Sequence, residues 1–190
     1  MSFYIKDISC ARFTFIAIIW FSFNYSCNCQ NLVPNHSFEI NTDCPIEQGH
    51  IYMAPPWEKV NGQTTDYFHP CGKPLWYSAP DNSRNFGHQS AADGEAYAGI
   101  RAWDEQFGPN VREYLGVQLT DSLVACQAYF VSFKVCNAGG RKSKWAIDDL
   151  GIYLGDKIQV FNQVVLTDYI PQIRNPEGNM IADSDNWTEI

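Results

Sequence analysis

Short strand-like runs, separated by residues that form tight turns, make up the chain from residue 95 onward. Turn-forming residues stand at 107–110, 138–140 and 155–156. No run has a convincing 3.6-residue period of the kind an amphipathic helix shows. Several short strands at this spacing are typical of an antiparallel sandwich, so the pattern predicts an all-β fold. The predicted strands are residues 95–103, 112–120, 127–137, 144–154 and 163–170.

Alternating side chains divide the run 127–137 into two faces. One face carries Tyr129, Val131, Phe133 and Val135. The other carries Phe130, Ser132, Lys134 and Cys136. Alternate residues of a strand point to the same side, so the apolar first face is predicted to lie in the core. The preceding stretch, residues 41–92, is rich in Pro, Gly and Asn and is predicted to be irregular.

The N-terminal segment has the pattern of a secretory signal peptide. Lys6 and Arg12 precede an apolar run over residues 13–23. A run of this length is too short to cross a bilayer as a helix, but it suits the apolar centre of a signal peptide. The sequence therefore predicts export.

Cleavage is predicted directly before Gln30, which makes residues 1–29 the signal peptide and residues 30–190 the mature domain. The alternative is a lipoprotein signal with the lipid on Cys27 or Cys29, although the residues before Cys27 depart from that pattern. After cleavage 11 basic and 20 acidic residues remain, a net charge of −9.

Composition excludes two classes of protein. Hydrophobic residues make up 45% of the 190 residues and charged residues 18%, which is typical of one folded domain and not of a disordered chain. The net charge of −8 offers nothing that would neutralise phosphates, so a nucleic-acid partner is excluded. Neutral partners such as glycans are compatible with this charge.

Four cysteines remain after removal of the signal peptide, and in an oxidising compartment they allow three pairings. Cys126 and Cys136 stand at the two ends of one predicted strand. Ten residues of strand span about 33 Å, and a disulfide needs Cα atoms within about 7 Å, so these two cannot pair with each other. Cys44 and Cys71 lie in loops where bridging is easy. A zinc site is the less favoured alternative, because no CxxC or HxxxH spacing occurs.

Two motifs resemble those of known carbohydrate-binding modules. Residues 31–39, NLVPNHSFE, resemble the opening of jelly-roll modules of the glucan- and xylan-binding type. Residues 145–153, WAIDDLGIY, resemble their late strand. A wider set resembles a family of secreted jelly-roll domains from outer-membrane-rich gliding bacteria. That set comprises CP (44–45), PW (56–57), DYF (66–68), Cys71, GEAYAG (94–99) and REY (112–114).

This resemblance implies a jelly roll, located extracellularly or on the outer-membrane surface, that binds polysaccharide or a cell-surface glycan. In that family the jelly roll often precedes an outer-membrane-protein-A-like domain or a secretion-sorting tail. Residues 187–190 begin a strand that stops. We therefore expect one or more missing strands and a covalent neighbour domain beyond residue 190.

The resemblance also implies a structural calcium ion and a disulfide. Glu39 and Asp148 match the positions that help to hold calcium, and the parity of Asp148 places it on the same strand face as Leu150, towards the core. Calcium prefers such oxygen ligands. The alternative is that Asp148 accepts backbone N–H groups in a turn. Because their loops are close in the family pattern, Cys44 and Cys71 are predicted to form the disulfide.

Aromatic residues in the loops are the candidate sugar-binding residues, because pyranose rings stack on aromatic faces while polar neighbours bind hydroxyl groups. The alternative for each is packing in the core or against a loop. The candidates are Trp76, Tyr77, Asp81, Asn82, Arg84 and Trp103.

Catalytic alternatives are weaker. Six acidic residues are candidates for the carboxylate pair of a glycosidase, but no spacing singles out two of them. They are Asp66, Asp93, Glu95, Asp104, Glu105 and Glu113. His69 stands near Cys71 in the manner of a Cys–His nucleophile, although a disulfide is the favoured role of that cysteine. The sequence thus predicts a protein that is not an enzyme. Two functions stay open: a glycan-binding module, or a structural or adhesion module without sugar binding.

Overall fold

Over the residues that it describes, the computed structural model is all-β, as predicted from the sequence, with two short 3-10 helices, His50–Met53 and Leu75–Tyr77. It describes residues 1–7, 30–73, 75–82, 86–104, 110–139, 145–162, 165–166 and 168–190. The strands are β1 (Ser2–Asp7), β2 (Glu58–Lys59), β3 (Asp66–Phe68), β4 (Asp81–Asn82), β5 (Gly87–His88), β6 (Tyr97–Gly99), β7 (Leu115–Gly116), β8 (Tyr129–Val135), β9 (Gly151–Ile152), β10 (Ile173–Arg174) and β11 (Thr188–Glu189).

All paired strands run antiparallel. A three-stranded sheet in the order β1-β8-β11 is the largest, and the pairs β2–β7, β3–β6, β4–β5 and β9–β10 form separate ribbons. β8 confirms a strand within the predicted run 127–137 and the inward direction of its apolar face. Phe133 and Val135 are buried and Tyr129 and Val131 pack against the core, whereas Phe130 on the opposite face is exposed. Ser132 on that opposite face is also buried.

Other predicted strands are shorter than their sequence runs. The run 112–120 contributes only β7, and the run 144–154 contributes only β9 beside an isolated bridge at Ile147. In the described part of the run 163–170 no residue is in a strand. The left-handed backbone at Asp149 (φ 57°) interrupts the run 144–154, because an extended strand requires negative φ.

β1 comes from residues that the sequence assigns to the start of the signal peptide. Its six residues pair with β8 from Ser2↔Lys134 to Asp7↔Tyr129, and Met1 and Ile5 are buried. The apolar run 13–23 lies outside the described residues. Within the described ranges no helix is long and apolar enough to cross a membrane.

Three hydrophobic clusters form the interior. The largest contains Phe38, Ile51, Trp57 and Tyr67, and β1 and β8 pack against it. A second lies around Phe68 and the strand β6. The third joins β8 to Ile181 near the C-terminal end. Loops supply much of the first two clusters, which explains how a chain with such short strands retains a buried interior.

The predicted disulfide Cys44–Cys71 is present, with its Cα atoms 5.4 Å apart. Beside it, the backbone N–H of Lys73 donates to the carbonyl of Pro45 at 2.9 Å, so the two loops are joined by both contacts. Cys126 and Cys136 are free thiols. Burial raises the pKa of the Cys136 thiol to about 11.

Candidate ligand-binding site

Two exposed tryptophans pack against each other on the surface. Trp103 is 38% exposed and Trp145 is 62% exposed, and their ring centroids lie 6.0 Å apart at an interplanar angle of 80°. This edge-to-face geometry is a favourable one for aromatic pairs, so each ring supports the other while part of its surface stays in solvent.

A depression with a volume of about 330 Å³ lies against Trp145. This volume is at the lower end of the range for small-ligand sites. Its walls carry the side-chain amide of Asn137 and the hydroxyl of Ser184. We call this depression the Trp145 groove; it is lined by Asn137, Ala138, Gly139, Trp145, Ala146, Ala182 and Ser184.

Asn137 fixes the base of the Trp145 groove. Its side-chain amide donates to the carbonyl of Trp145 at 2.9 Å and to the carbonyl of Ile181 at 3.2 Å. Its backbone N–H donates to the carbonyl of Asp183 at 2.8 Å. One residue, two positions after the end of β8, thus holds together the segment of Trp145 and the segment of the opposite wall.

The opposite wall is a turn organised by Asp183. Its carboxylate accepts the backbone N–H groups of Asn186 and Asp185 and the side-chain amide of Asn186, and these bonds lower the pKa of Asp183. A Cβ atom at Gly139 would lie 3.0 Å from the Cβ of Ser184, so the two walls approach closely there and glycine keeps the groove open.

A buried carboxylate braces the loop that carries Trp103. Glu113 accepts the backbone N–H of Arg101 at 2.7 Å and the hydroxyl of Thr64 at 2.8 Å. Burial raises the pKa of Glu113. Arg101 in turn forms an ion pair with Asp104 at 3.2 Å. Arg101 and Asp104, on the two sides of Trp103, are therefore held by polar contacts.

The cluster around Trp76, expected as a sugar platform, is divided between surface and interior. Trp76 is 38% exposed and Asp81 is exposed, but Tyr77 is buried in the second hydrophobic cluster. Asn82 is also buried, and its side-chain amide donates to the hydroxyl of Tyr97 at 2.8 Å. Tyr77 and Asn82 thus hold the interior together. Arg84 lies outside the described residues.

The two predicted calcium ligands are engaged by different loops. Glu39 Oε1 accepts the backbone N–H groups of Glu95 and Ala96 at 2.8 and 2.9 Å. Asp148 Oδ2 accepts the backbone N–H of Gly178 at 2.6 Å. This contact agrees with the alternative role of Asp148, the acceptance of backbone N–H groups in a turn. Across the described ranges, no group of three or more His, Cys, Asp or Glu residues is arranged to hold a metal ion. The calcium site stays a prediction.

Several of the candidate catalytic groups have structural partners. Asp66 is buried and accepts a backbone N–H at 2.9 Å, and Glu113 braces a loop as described above. His69 Nδ1 lies 2.9 Å from the sulfur of Cys71. Because Cys71 is part of the disulfide, it has no thiol to act as a nucleophile. Glu105 lies outside the described residues.

Trp145, Asn137 and Ser184 were missed as site residues in the sequence. Trp145 has the opposite parity to Leu150, which was predicted to face inwards. A large aromatic residue on the outward face of that run was therefore the available indication. Nothing in the sequence indicated that Asn137 would bring the segments of Trp145 and Ser184 together, because they are far apart along the chain.

Comparisons with models of protein families, with curated proteins and with solved structures found no match to this chain.

Proposed function

We propose that the chain is an exported, non-catalytic glycan-binding module of jelly-roll type, and that the Trp145 groove with Trp103 is its sugar site. The observation that carries the proposal is the pair of exposed tryptophans beside a depression with polar groups in its walls. The lining of the depression is mainly polar, and the exposed indole of Trp145 supplies an apolar face beside it. Protein sites for small ligands combine apolar surface with placed polar groups.

The chemistry of the groove suits a sugar ring. An indole presents a flat apolar face to the C–H groups of a pyranose, and the hydroxyl of Ser184 can donate to and accept from sugar hydroxyls. The net charge of −9 in the processed chain disfavours polyanions. The proposed ligand class is therefore a neutral polysaccharide or cell-surface glycan.

Two further observations support an extracellular or outer-membrane location. The signal-peptide pattern over residues 1–29 predicts export, and disulfides such as Cys44–Cys71 persist in oxidising compartments. The resemblance of residues 31–39 to carbohydrate-binding modules agrees with both.

The experiment measures retention of the exported protein on a panel of insoluble neutral polysaccharides, followed by calorimetric titration with soluble oligosaccharides of the retained class. Trp145→Ala is expected to weaken binding by roughly 1–3 kcal/mol, the scale of aromatic stacking on nucleic-acid bases. Trp76→Ala is the matched control, because Trp76 is as exposed as Trp103 but does not line the groove.

Equal retention of wild type and Trp145→Ala would reject the groove as the sugar site. No retention on any polysaccharide would favour the second candidate, a structural or adhesion module. That candidate needs exposed side chains for contact with another protein, and Val160 is 68% and Ile170 75% exposed.

A further inference from the structure

β1 is the end strand of its sheet, and a loop segment, residues 31–36, covers its outer edge with hydrogen bonds. On one side it pairs with β8 over all six residues. On the other side it meets residues 31–36. We call the space between β8 and residues 31–36 the strand slot.

The second side of the strand slot is also hydrogen-bonded to β1. The N–H of Phe3 donates to the carbonyl of His36 at 3.2 Å, and the N–H of Leu32 donates to the carbonyl of Ile5 at 2.9 Å. The side chain of Asn31 acts like a peptide group: its amide donates to the carbonyl of Phe3 at 2.9 Å and its oxygen accepts the N–H of Ile5 at 3.1 Å.

The strand slot also has side-chain pockets on its inner face. The ring of Phe3 lies 5.0 Å from that of Trp57 and 6.1 Å from that of Phe133. Met1 and Ile5, on the same face as Phe3, are buried in the largest hydrophobic cluster. Removal of β1 would leave this aromatic wall and a row of backbone donors and acceptors without partners.

Export as proposed above removes residues 1–29, and with them β1. We propose that in the exported protein the strand slot binds an extended β-strand from another polypeptide chain, with apolar side chains at alternate positions. This inference rests on the export part of the proposed function and is independent of sugar binding. Strand addition of this kind takes its affinity from main-chain hydrogen bonds and its specificity from pockets for alternate side chains.

The contacts of β1 indicate which side chains a strand bound in the strand slot would carry at each position. Large apolar residues fit at the positions of Phe3 and Ile5, and a small residue fits at the fully buried position of Ser2. The intervening position can be polar, because the hydroxyl of Tyr4 donates to Asp93 at 3.2 Å.

The experiment uses the protein as the host exports it. Intact mass first determines the N-terminus, which we expect at Gln30. A fluorescently labelled peptide with the sequence of residues 1–7, MSFYIKD, is then titrated by anisotropy, and hydrogen-exchange mass spectrometry locates its contact. We expect saturable binding, with new protection confined to β8 and residues 31–36.

Two controls separate strand addition from nonspecific adhesion. A peptide with Phe3 exchanged with Tyr4 and Ile5 exchanged with Lys6 keeps the composition but reverses the faces, and it should bind at least tenfold more weakly. Asn31→Ala should weaken binding of the original peptide while Trp145→Ala leaves it unchanged. A protein that is folded only when the peptide is present would also support the proposal.

Three results would overturn the inference. Retention of residues 1–29 in the exported protein would make β1 a permanent strand and remove the export premise. A processed protein that does not bind the peptide would exclude an open slot. Equal binding of both peptides would exclude pockets of defined register. Polysaccharide retention, measured separately, reports on the sugar site and not on the slot.

Discussion

The segments 33–98 and 145–190 differ in how many of their large apolar side chains are buried. The first buries Phe38, Trp57 and Tyr67 among its loops. The second exposes Trp145 and Tyr153 and, among its described residues, has Ile181 as its buried hydrophobic residue. Both segments contain only short strands, so the amount of regular structure does not explain the difference.

Polar contacts between loops account for the burial of aromatic residues in the first segment. In the first segment the indole N–H of Trp57 donates to the carbonyl of Asn35 at 2.8 Å, and the hydroxyl of Tyr67 donates to the carbonyl of Phe38 at 3.0 Å. Each ring thus satisfies its own polar group and a loop carbonyl inside the core. These buried aromatic residues of the first segment are structural, whereas those beside the Trp145 groove are available to a partner.

The largest expected effect is on Trp57. Trp57→Ala should lower the free energy of unfolding by about 3–5 kcal/mol, because it removes a buried ring and leaves a cavity. Trp145→Ala should change it by less than about 1 kcal/mol, since surface substitutions have small effects. Urea unfolding of both variants measures the contrast. A similar loss of unfolding free energy in both variants would contradict the distinction between aromatic residues that stabilise the core and those that are exposed to a ligand.

Loss of the disulfide should be the next largest effect. The double substitution Cys44→Ser with Cys71→Ser should cost about 3–4 kcal/mol, because it frees a loop closed over 27 positions in the unfolded chain. Cys126→Ser is the control, since this free cysteine is exposed. Thermal unfolding without reductant compares the variants, and an unchanged midpoint in the double variant would contradict a stabilising bridge.

Asp148 should have a smaller effect. Asp148→Ala removes the acceptor for the N–H of Gly178 and should cost about 1 kcal/mol. If calcium is bound, chelation lowers the melting temperature of the wild type but not of Asp148→Ala, whereas a turn role alone gives both proteins the same insensitivity to chelator. Differential scanning fluorimetry with EDTA and with added calcium distinguishes the two.

Asp183 should have the smallest effect, visible as a pH dependence. Hydrogen bonds from the turn lower its pKa in the folded state below the ordinary value of 3.8. Its stabilising contribution is therefore fully present above that value and is lost as the pH falls through the lowered pKa. NMR titration of the carboxyl should find the lowered pKa, and Asp183→Ala should abolish this part of the acid sensitivity. An ordinary pKa would contradict the turn geometry.

Local sequence patterns determined the all-β class and the inner face of β8. Alternation over residues 127–137 is a property of neighbouring residues, and it directly sets which side chains share a face. Family resemblance predicted the pairing of Cys44 with Cys71, which spacing alone left open. Local patterns did not determine how long the other strands are, because side-chain acceptors such as Glu113 take backbone N–H groups that a neighbouring strand would otherwise bind.

Only the tertiary structure decided which aromatic side chains are exposed and can contact a ligand. Trp76 and Tyr77 are adjacent in sequence, yet one is exposed and the other buried, because Tyr77 packs with the second cluster. The Trp145 groove joins segments brought together by Asn137 from distant parts of the chain. Residue type determines what a side chain can bind, but exposure and proximity depend on packing between distant segments, which no local pattern encodes.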